Sequence, residues 1–271
     1  MTETIRHTAV AGHFYTSVPG KLRDEIASYV SNPAAPKAKA YGVLVPHAGY
    51  MYSGAVCGHA LASVEIPGTA LILHTKHQLG GGTFSLAAFR EWETPLGKVH
   101  VDEKLETALA NVDGIDISNF PHFQEHAAEV VLPFLQFLNP AVKVCVISVS
   151  HAPTETVQAV AAGIASAILS QDGGDTLIVA SSDMNHYEDH ETTLAKDKLA
   201  LDKLVAYDTQ GMIDVCFARD ISMCGLHATA LMLEACKSLG AGKVELLEHT
   251  TSGEVSGDMH QVVGYASARV L

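Results

Sequence analysis

The chain has 271 residues, 48% of them hydrophobic, which is enough for a full hydrophobic core without cross-links. Its formal net charge of −13 argues against binding to nucleic acid or to an anionic membrane surface. No apolar run approaches the roughly 18 residues of a membrane span, and the N-terminus lacks a signal-peptide pattern, so we expect a cytoplasmic protein.

The five cysteines are odd in number and include no Cys-x-x-Cys pair, which argues against a disulfide framework and against a structural zinc knuckle. The chain also contains no repeats, no low-complexity tract and no linker between two compositionally different halves. We therefore expect residues 1–271 to form a single domain.

The predicted elements alternate between helices and strands. In chain order they are a helix near 20–31, a strand at 43–45, a helix from Ser53 as N-cap to Val64, a strand at 70–73, strands and turns within 84–100, a helix near 101–111, a helical segment at 123–133 that Pro133 kinks or ends, a strand at 142–150, a helix at 154–170, a strand at 176–180, helices within 191–217, a helix at 228–239 and strands near 243–250 and 260–270. This alternation predicts an α/β fold with a mixed, mostly parallel sheet flanked by helices.

The strand at 43–45 leads directly into Pro46 and His47. Proline has no N–H with which to continue the ladder, and Gly49 allows a tight turn into the next helix. Ligands of open α/β sheets bind outside the carboxyl ends of the strands, which is where His47 lies.

Four predicted strands end in side chains of this kind. They are His47, the pair His74 and His77, His151, and Asp183 with His186. Each one, taken singly, is also explained as a polar residue satisfied at a strand end. Because the carboxyl ends of parallel strands meet at one edge, we expect the side chains to gather there, as in a metal site or an acid–base site.

Several segments resemble the motifs of one family, the Memo-like proteins, which are the B component of the AmmeMemoRadiSam system. They are Ala-Gly-His-Phe-Tyr-Thr at 11–16, Val-Pro-His-Ala-Gly-Tyr-Met-Tyr-Ser-Gly at 45–54, Thr-Pro-Leu-Gly at 94–97, Glu-His-Ala-Ala-Glu-Val-Val-Leu-Pro at 125–133, Ser-Ser-Asp-Met-Asn-His at 181–186 and Met-Cys-Gly-Leu-His at 223–227. The resemblance covers essentially the whole chain. It implies a fold similar to that of the class III extradiol dioxygenases, which hold non-haem iron, and association with a radical-SAM protein and another small partner protein.

The resemblance also implies a set of metal ligands, namely His47, His77 and Cys224. Asp183 and His186 match positions that act beside the metal or as acid and base in the same pocket. The segment that holds His126 and Glu129, three residues apart on one predicted helix face, matches as well, and we take His126 as a further catalytic candidate.

One departure from the family pattern lies before the second histidine. The family usually has Gly-Pro-(Ser or Asn)-His, and this chain has His74-Thr-Lys-His77. A lysine at position 76 disfavours a bound cation if it faces the site, and His74 is an alternative ligand.

Two histidines and a cysteine leave one coordination position open, as catalytic metal sites require. A thiolate in place of the usual carboxylate moves the preference toward Cu(I), Zn(II) or thiolate-bound iron; we expect Fe(II) first, with Cu and Zn as alternatives. Asp183 either orients His186 or caps the turn after Ser182. Cys224 precedes a predicted helix, whose N-terminus lowers a thiol pKa; the alternative is a buried, inert cysteine.

Two functions fit these features. One is a metal-dependent, dioxygenase-like oxidoreductase acting on a small molecule, favoured by the open coordination position and by Asp183 and His186. The other is a non-catalytic metal- or peptide-binding scaffold that works with the radical-SAM partner, favoured by the missing carboxylate ligand and by Lys76. Metal-assisted hydrolysis is a third option.

Overall fold

Twelve strands form one mixed sheet in the residues that the computed structural model describes, 4–171 and 175–271. The strands are β1 (Ile5–Arg6), β2 (Gly42–Val45), β3 (Thr69–Thr75), β4 (Phe84–Leu86), β5 (Glu91–Thr94), β6 (Gly97–Val101), β7 (Ile115–Ile117), β8 (Lys143–Val149), β9 (Thr176–Ser181), β10 (His186–Glu188), β11 (Val244–Thr251) and β12 (Val262–Val270). The helices are α1 (Pro19–Val30), α2 (Tyr50–Ala62), α3 (Glu103–Leu109), α4 (Leu132–Leu138), α5 (Thr154–Leu169), α6 (His190–Val205), α7 (Thr209–Ala218), α8 (Leu226–Ser238) and α9 (Gly253–Ser256).

The centre of the sheet is parallel, in the order β6-β8-β3-β9-β2. Its inner strands are continuous apolar runs, such as Ala70–Leu73 in β3, and these residues are fully buried. Such runs are typical of parallel strands that helices cover on both faces. The long strand β12 closes one side, antiparallel to β2 and β11, and β10 pairs with its first residues.

Helices cover the two faces of this sheet. The helices α1, α2 and α4 pack together, and α2 lies against β2 and β12. On the other face α8 packs on β3, β9 and β2, with α5 and α7 beside it. The predicted fold class, a single α/β domain with a mostly parallel mixed sheet flanked by helices, is confirmed. No helix among the described residues combines the length and the apolar character needed to cross a bilayer.

The helix after β2 begins earlier than the sequence pattern suggested. We expected Ser53 to cap it, but Gly49 is the N-cap, and its carbonyl accepts hydrogen bonds from the amides of Tyr52 and Ser53. Ser53 lies inside the first turn and donates through Oγ to the carbonyl of Ala48 at 3.2 Å. The tight turn therefore leads straight from His47 into α2.

The predicted helix across 123–133 is wrong. A short 3₁₀ helix covers Phe120–His122, turns follow, and α4 begins at Leu132, with Pro133 in its first turn. Proline is well tolerated there because a first-turn amide needs no helical partner. His126 and Glu129 consequently lie on no common helix face.

The carboxyl ends of β2, β3 and β9 are adjacent at one edge of the sheet. Val45 is in register with Ser181, and Ser181 with His74. The segments that follow these strands therefore meet at this edge, as parallel topology requires.

Candidate metal centre

A cavity of about 710 Å³ opens at this edge of the sheet. All six residues that the sequence singled out as metal ligands or catalytic groups line it, namely His47, His77, His126, Asp183, His186 and Cys224. The segments after β2, β3 and β9, the turns before α4 and the start of α8 thus contribute side chains to one site.

Three donor atoms meet at the floor of the cavity. One ligand atom from each of His47, His77 and Cys224 lies within 4.8 Å of the other two, and Nε2 of His47 is 3.3 Å from Sγ of Cys224. Ligands at about 2.0–2.3 Å from a tetrahedral ion lie about 3.5 Å apart, so this donor set fits a transition-metal ion after small shifts.

The hydrogen bonds behind the two imidazoles determine which nitrogen faces this point. Nδ1 of His47 is 2.8 Å from Oγ of Ser181, whose own proton goes to the carbonyl of Ala127 at 2.6 Å. Ser181 must therefore accept a proton from Nδ1 of His47. Nδ1 of His77 donates in the same way to Oε1 of Glu125 at 2.9 Å. Both rings keep the Nε2 lone pair for the cavity, as metal-bound histidines do.

Glu125 is a site residue that the sequence analysis missed. Its buried carboxylate accepts hydrogen bonds from the ring and the backbone amide of His77 and from the amides of His126 and Ala127. Burial alone raises the pKa of this carboxyl, but the hydrogen bond from His77 and the nearby histidines hold the pKa well below its usual range. The sequence signal that could have found it was its position directly before His126, as the first residue of the family-like motif at 125–133.

A second group of possible ligands, His77, Glu125 and His126, shares one residue with the first. It fits an ion less well because the carboxylate of Glu125 already accepts four N–H donors. The donor set with Cys224 is the better candidate.

Cys224 lies between Asp183 and His47. Its sulfur accepts a hydrogen bond from the amide of Asp183 at 3.2 Å. We expected the start of α8 to lower the thiol pKa; instead, burial and the neighbouring Asp183 carboxylate raise it. In the absence of an ion the thiol form is therefore favoured, and a bound metal would have to displace its proton.

Asp183 holds the backbone at the end of β2. Its Oδ1 accepts a hydrogen bond from the amide of His47 at 2.8 Å, and burial raises the pKa of its carboxyl. It does not orient His186, contrary to one of our alternatives. The ring of His186 instead bonds through Nδ1 to the carbonyl of Ser222 at 3.0 Å.

His126 stacks on His77, with ring centroids 4.7 Å apart, and its centroid is 5.3 Å from that of His47. Burial, together with the nearby His47, lowers the pKa of His126 to about 4. Burial also lowers the pKa of His47, to about 3, with His77 adding to the effect. Both rings are neutral at pH 7 and can act as bases or ligands.

Three polar residues of the predicted strand ends lie outside the cavity. His74 is fully buried and bonds to Nδ1 of His122 at 3.1 Å, so it is not available as an alternative ligand. The ammonium of Lys76 donates to the carbonyls of Gly80 and Gly82 and does not line the cavity. His151 packs against His227, with ring centroids 4.6 Å apart, near α7 and α8.

The sequence profile of the family described as Memo-like protein matches residues 6–269. A MEMO1 family protein from Sulfurisphaera tokodaii is 38% identical over 281 residues, which cover 98% of this chain and 99% of that protein. A MEMO1 family protein from Pyrobaculum arsenaticum is 37% identical over 275 residues, covering 97% and 98%. These similarities extend across every segment that lines the cavity.

Proposed function

Since the chain belongs to the Memo-like family, we propose that it binds one transition-metal ion through His47, His77 and Cys224 and uses this centre for dioxygenase-like oxidation of a small molecule. The observation that carries the proposal is the pair of Nδ1 hydrogen bonds to Ser181 and Glu125, which turns two Nε2 lone pairs toward one thiol. We expect Fe(II) as the ion, because the fold that the family resembles holds non-haem iron; Cu and Zn are the alternatives, because a soft thiolate favours them.

An ion held by three protein ligands would supply Lewis-acid and redox chemistry at an open coordination position. Around it, the residues of this chain bind and orient the small molecule and move protons. His126 and His186 both line the cavity, and the Nδ1 atom of His186 is occupied by Ser222, so its Nε2 atom is available to a ligand. Asp183 keeps the His47 backbone in place through Oδ1, and burial raises the pKa of its carboxyl.

The first experiment measures metal binding. Protein purified without oxygen and loaded separately with Fe(II), Cu(I) or Zn(II) should take up about one ion per chain. Cys224→Ser should lower the affinity at least about tenfold, because a neutral hydroxyl replaces the thiolate ligand. Cys57→Ser, a buried cysteine outside the cavity, is the matched control and should bind metal as the wild type does. Equal metal content in the wild type and in the His47→Ala/Cys224→Ser double variant rules the site out.

A non-catalytic scaffold is the second candidate, and the observation that favours it is the thiol in place of the carboxylate that dioxygenase iron sites use. Association with a radical-SAM protein and a cytoplasmic location belong to the proposal under either function. Oxygen uptake by the metal-loaded protein, measured with catechols, thiols and other small reductants, separates the two. Turnover that is lost in His126→Gln supports the enzyme, and a loaded protein inert to every compound favours the scaffold.

A further inference from the structure

The side chains that line the cavity carry an unusual balance of charge. Among the described residues, none of them is a lysine or an arginine. The ionisable groups are four histidines, two aspartates, three tyrosines and one cysteine: His47, His77, His126, His186, Asp183, Asp258, Tyr52, Tyr187, Tyr265 and Cys224. Sites for carboxylates and phosphates rely on arginine, lysine or free helix amides. The starts of α2 and α8 beside the cavity offer little, since the amide of Tyr50 donates to the carbonyl of Phe14 and the amide of Gly225 donates to Oγ of Ser182.

Aromatic rings form much of the wall. Phe14, Tyr52, Tyr187 and Tyr265 line the cavity, and the ring of Phe14 lies 4.8 Å from that of His126. The hydroxyls of Tyr52 and Tyr187 make no hydrogen bond to other described residues and are available to a ligand. Flat rings with free hydroxyls favour an aromatic ligand over a flexible aliphatic ligand, because aromatic rings pack well against each other.

Tyr187 is held at the mouth of the cavity at a conformational cost. Its φ angle is +64°, in the left-handed region that bulky residues rarely adopt, and the residue is 72% exposed. It lies between His186 and Glu188, where the pairing of β10 with β12 shifts register. A strained, solvent-exposed aromatic residue beside a cavity is typical of a ligand contact.

The rim adds a carboxylate. Asp258, between α9 and β12, accepts the amide of His260 on Oδ1 at 2.9 Å, and its second oxygen has no partner among the described residues. Gln261 lines the same rim with its amide unpaired within that part of the chain. Both groups can bind a donor such as an ammonium or a hydroxyl.

We propose that the cavity takes an aromatic molecule whose polar end is cationic or neutral, and that it discriminates against aromatic carboxylates and phosphate esters. This inference rests on the proposed function, because it names the substrate class of the same site. The aromatic wall holds the ring, and Asp258 and Gln261 bind the polar end at the rim, away from the three proposed metal ligands. With no lysine or arginine in the lining, an anionic end placed at the rim has no counter-charge and faces Asp258.

The test uses three phenols that share one ring and differ in the charge of their side chain: tyramine (cation), tyrosol (neutral) and 4-hydroxyphenylacetate (anion). Dissociation constants are measured by NMR titration at pH 7 on metal-free protein, so that no phenol binds through an ion. We expect tyramine to bind at least about tenfold more tightly than 4-hydroxyphenylacetate, with tyrosol between them.

Three variants then test separately the contributions of the rim charge and of the aromatic wall to phenol binding. Asp258→Asn should reduce the ratio between tyramine and 4-hydroxyphenylacetate at least about threefold. Glu254→Gln removes the same charge four residues away, outside the lining, and should leave the ratio unchanged. Tyr187→Gly removes the ring and the backbone strain, and should weaken all three phenols by a similar factor.

Binding of the anion as tight as that of the cation, or no binding of any phenol, overturns the inference. These outcomes are independent of the metal titration. Normal metal uptake with a reversed charge order rejects only the substrate class, whereas the expected charge order in a protein that binds no metal rejects only the proposed function.

Discussion

Glu125 acts on the site through His77, since it does not itself line the cavity. One of its oxygens accepts the His77 ring, and the other accepts the His77 backbone amide. A carboxylate can serve both donors at once. A glutamine offers one oxygen and one NH₂ group, so it leaves either the ring or the amide of His77 without an acceptor.

We therefore predict that Glu125→Gln lowers metal affinity about 10- to 100-fold, the range for groups that support a metal-bound histidine. The measurement is a competition titration against a chromophoric chelator. Glu106→Gln is the matched control, because Glu106 is also a buried glutamate and pairs with Arg90 away from the cavity, and its affinity should stay at the wild-type value. Equal affinities for Glu125→Gln and the wild type contradict the role assigned to Glu125.

The sequence predicted the residues of the cavity better than the residues behind it. His47 and Asp183 follow strands whose apolar pattern is clear, so their place at the sheet edge follows from topology. Glu125 meets His77 across 48 positions and Ser181 meets His47 across 134. Such pairings depend on how loops pack, which no local pattern encodes.

The segment between the 3₁₀ helix and α4 is held by hydrogen bonds that replace the predicted helix. At its far end, the carboxylate of Glu129 accepts the amides of Ala9 and Val10, the hydroxyl of Tyr15 and the guanidinium of Arg6. The N-terminal segment is thus tied to the turns that carry His126. The apolar spacing of 123–133 was typical of a helix, and the buried ion pair with Arg6 outweighs it.

We predict that Glu129→Gln lowers the free energy of unfolding by about 3–5 kcal/mol, because it leaves the guanidinium of Arg6 buried without its counter-charge. Urea unfolding followed by circular dichroism measures the change. Asp202→Asn, which breaks the exposed pair with Lys198 on α6, should change stability little. A loss of stability as small as that of Asp202→Asn would contradict this prediction. It would mean that the ion pair between Arg6 and Glu129 adds little to the free energy of unfolding.

Over the whole molecule, the sequence predicted that polar side chains at four strand ends would lie close together. The structure agrees for β2, β3 and β9 but not for β8. The order β8-β3-β9-β2 puts the end of β8 on the far side of β3 from β9 and β2. His151 therefore packs toward α7 and α8, whereas His47, His77 and Asp183 converge. The sequence indicates which strands are parallel, but their order depends on long-range pairing that it does not specify.

The buried, neutral His47 in the cavity should make the stability of the whole protein depend on pH. Burial, with His77 beside it, lowers the pKa of His47 to about 3, so the folded protein keeps this ring neutral while the unfolded chain protonates it near its ordinary value. Between these two values the unfolded state binds more protons, and the free energy of unfolding must fall as pH falls. For His47 alone the loss between pH 7 and pH 5 is about 2 kcal/mol in metal-free protein.

Urea unfolding at pH 7, 6 and 5 tests this, with His47→Asn as the variant and His260→Asn, an exposed histidine, as the control. The stability of His47→Asn should depend less steeply on pH than that of the wild type, by about 2 kcal/mol over this interval, and His260→Asn should follow the wild type. Parallel curves for all three proteins would mean that His47 is solvated or already charged in the fold. Because burial keeps the Cys224 thiol protonated and a bound ion would have to displace that proton, metal binding weakens as pH falls, and loading with Zn(II) should make the wild-type pH dependence steeper still.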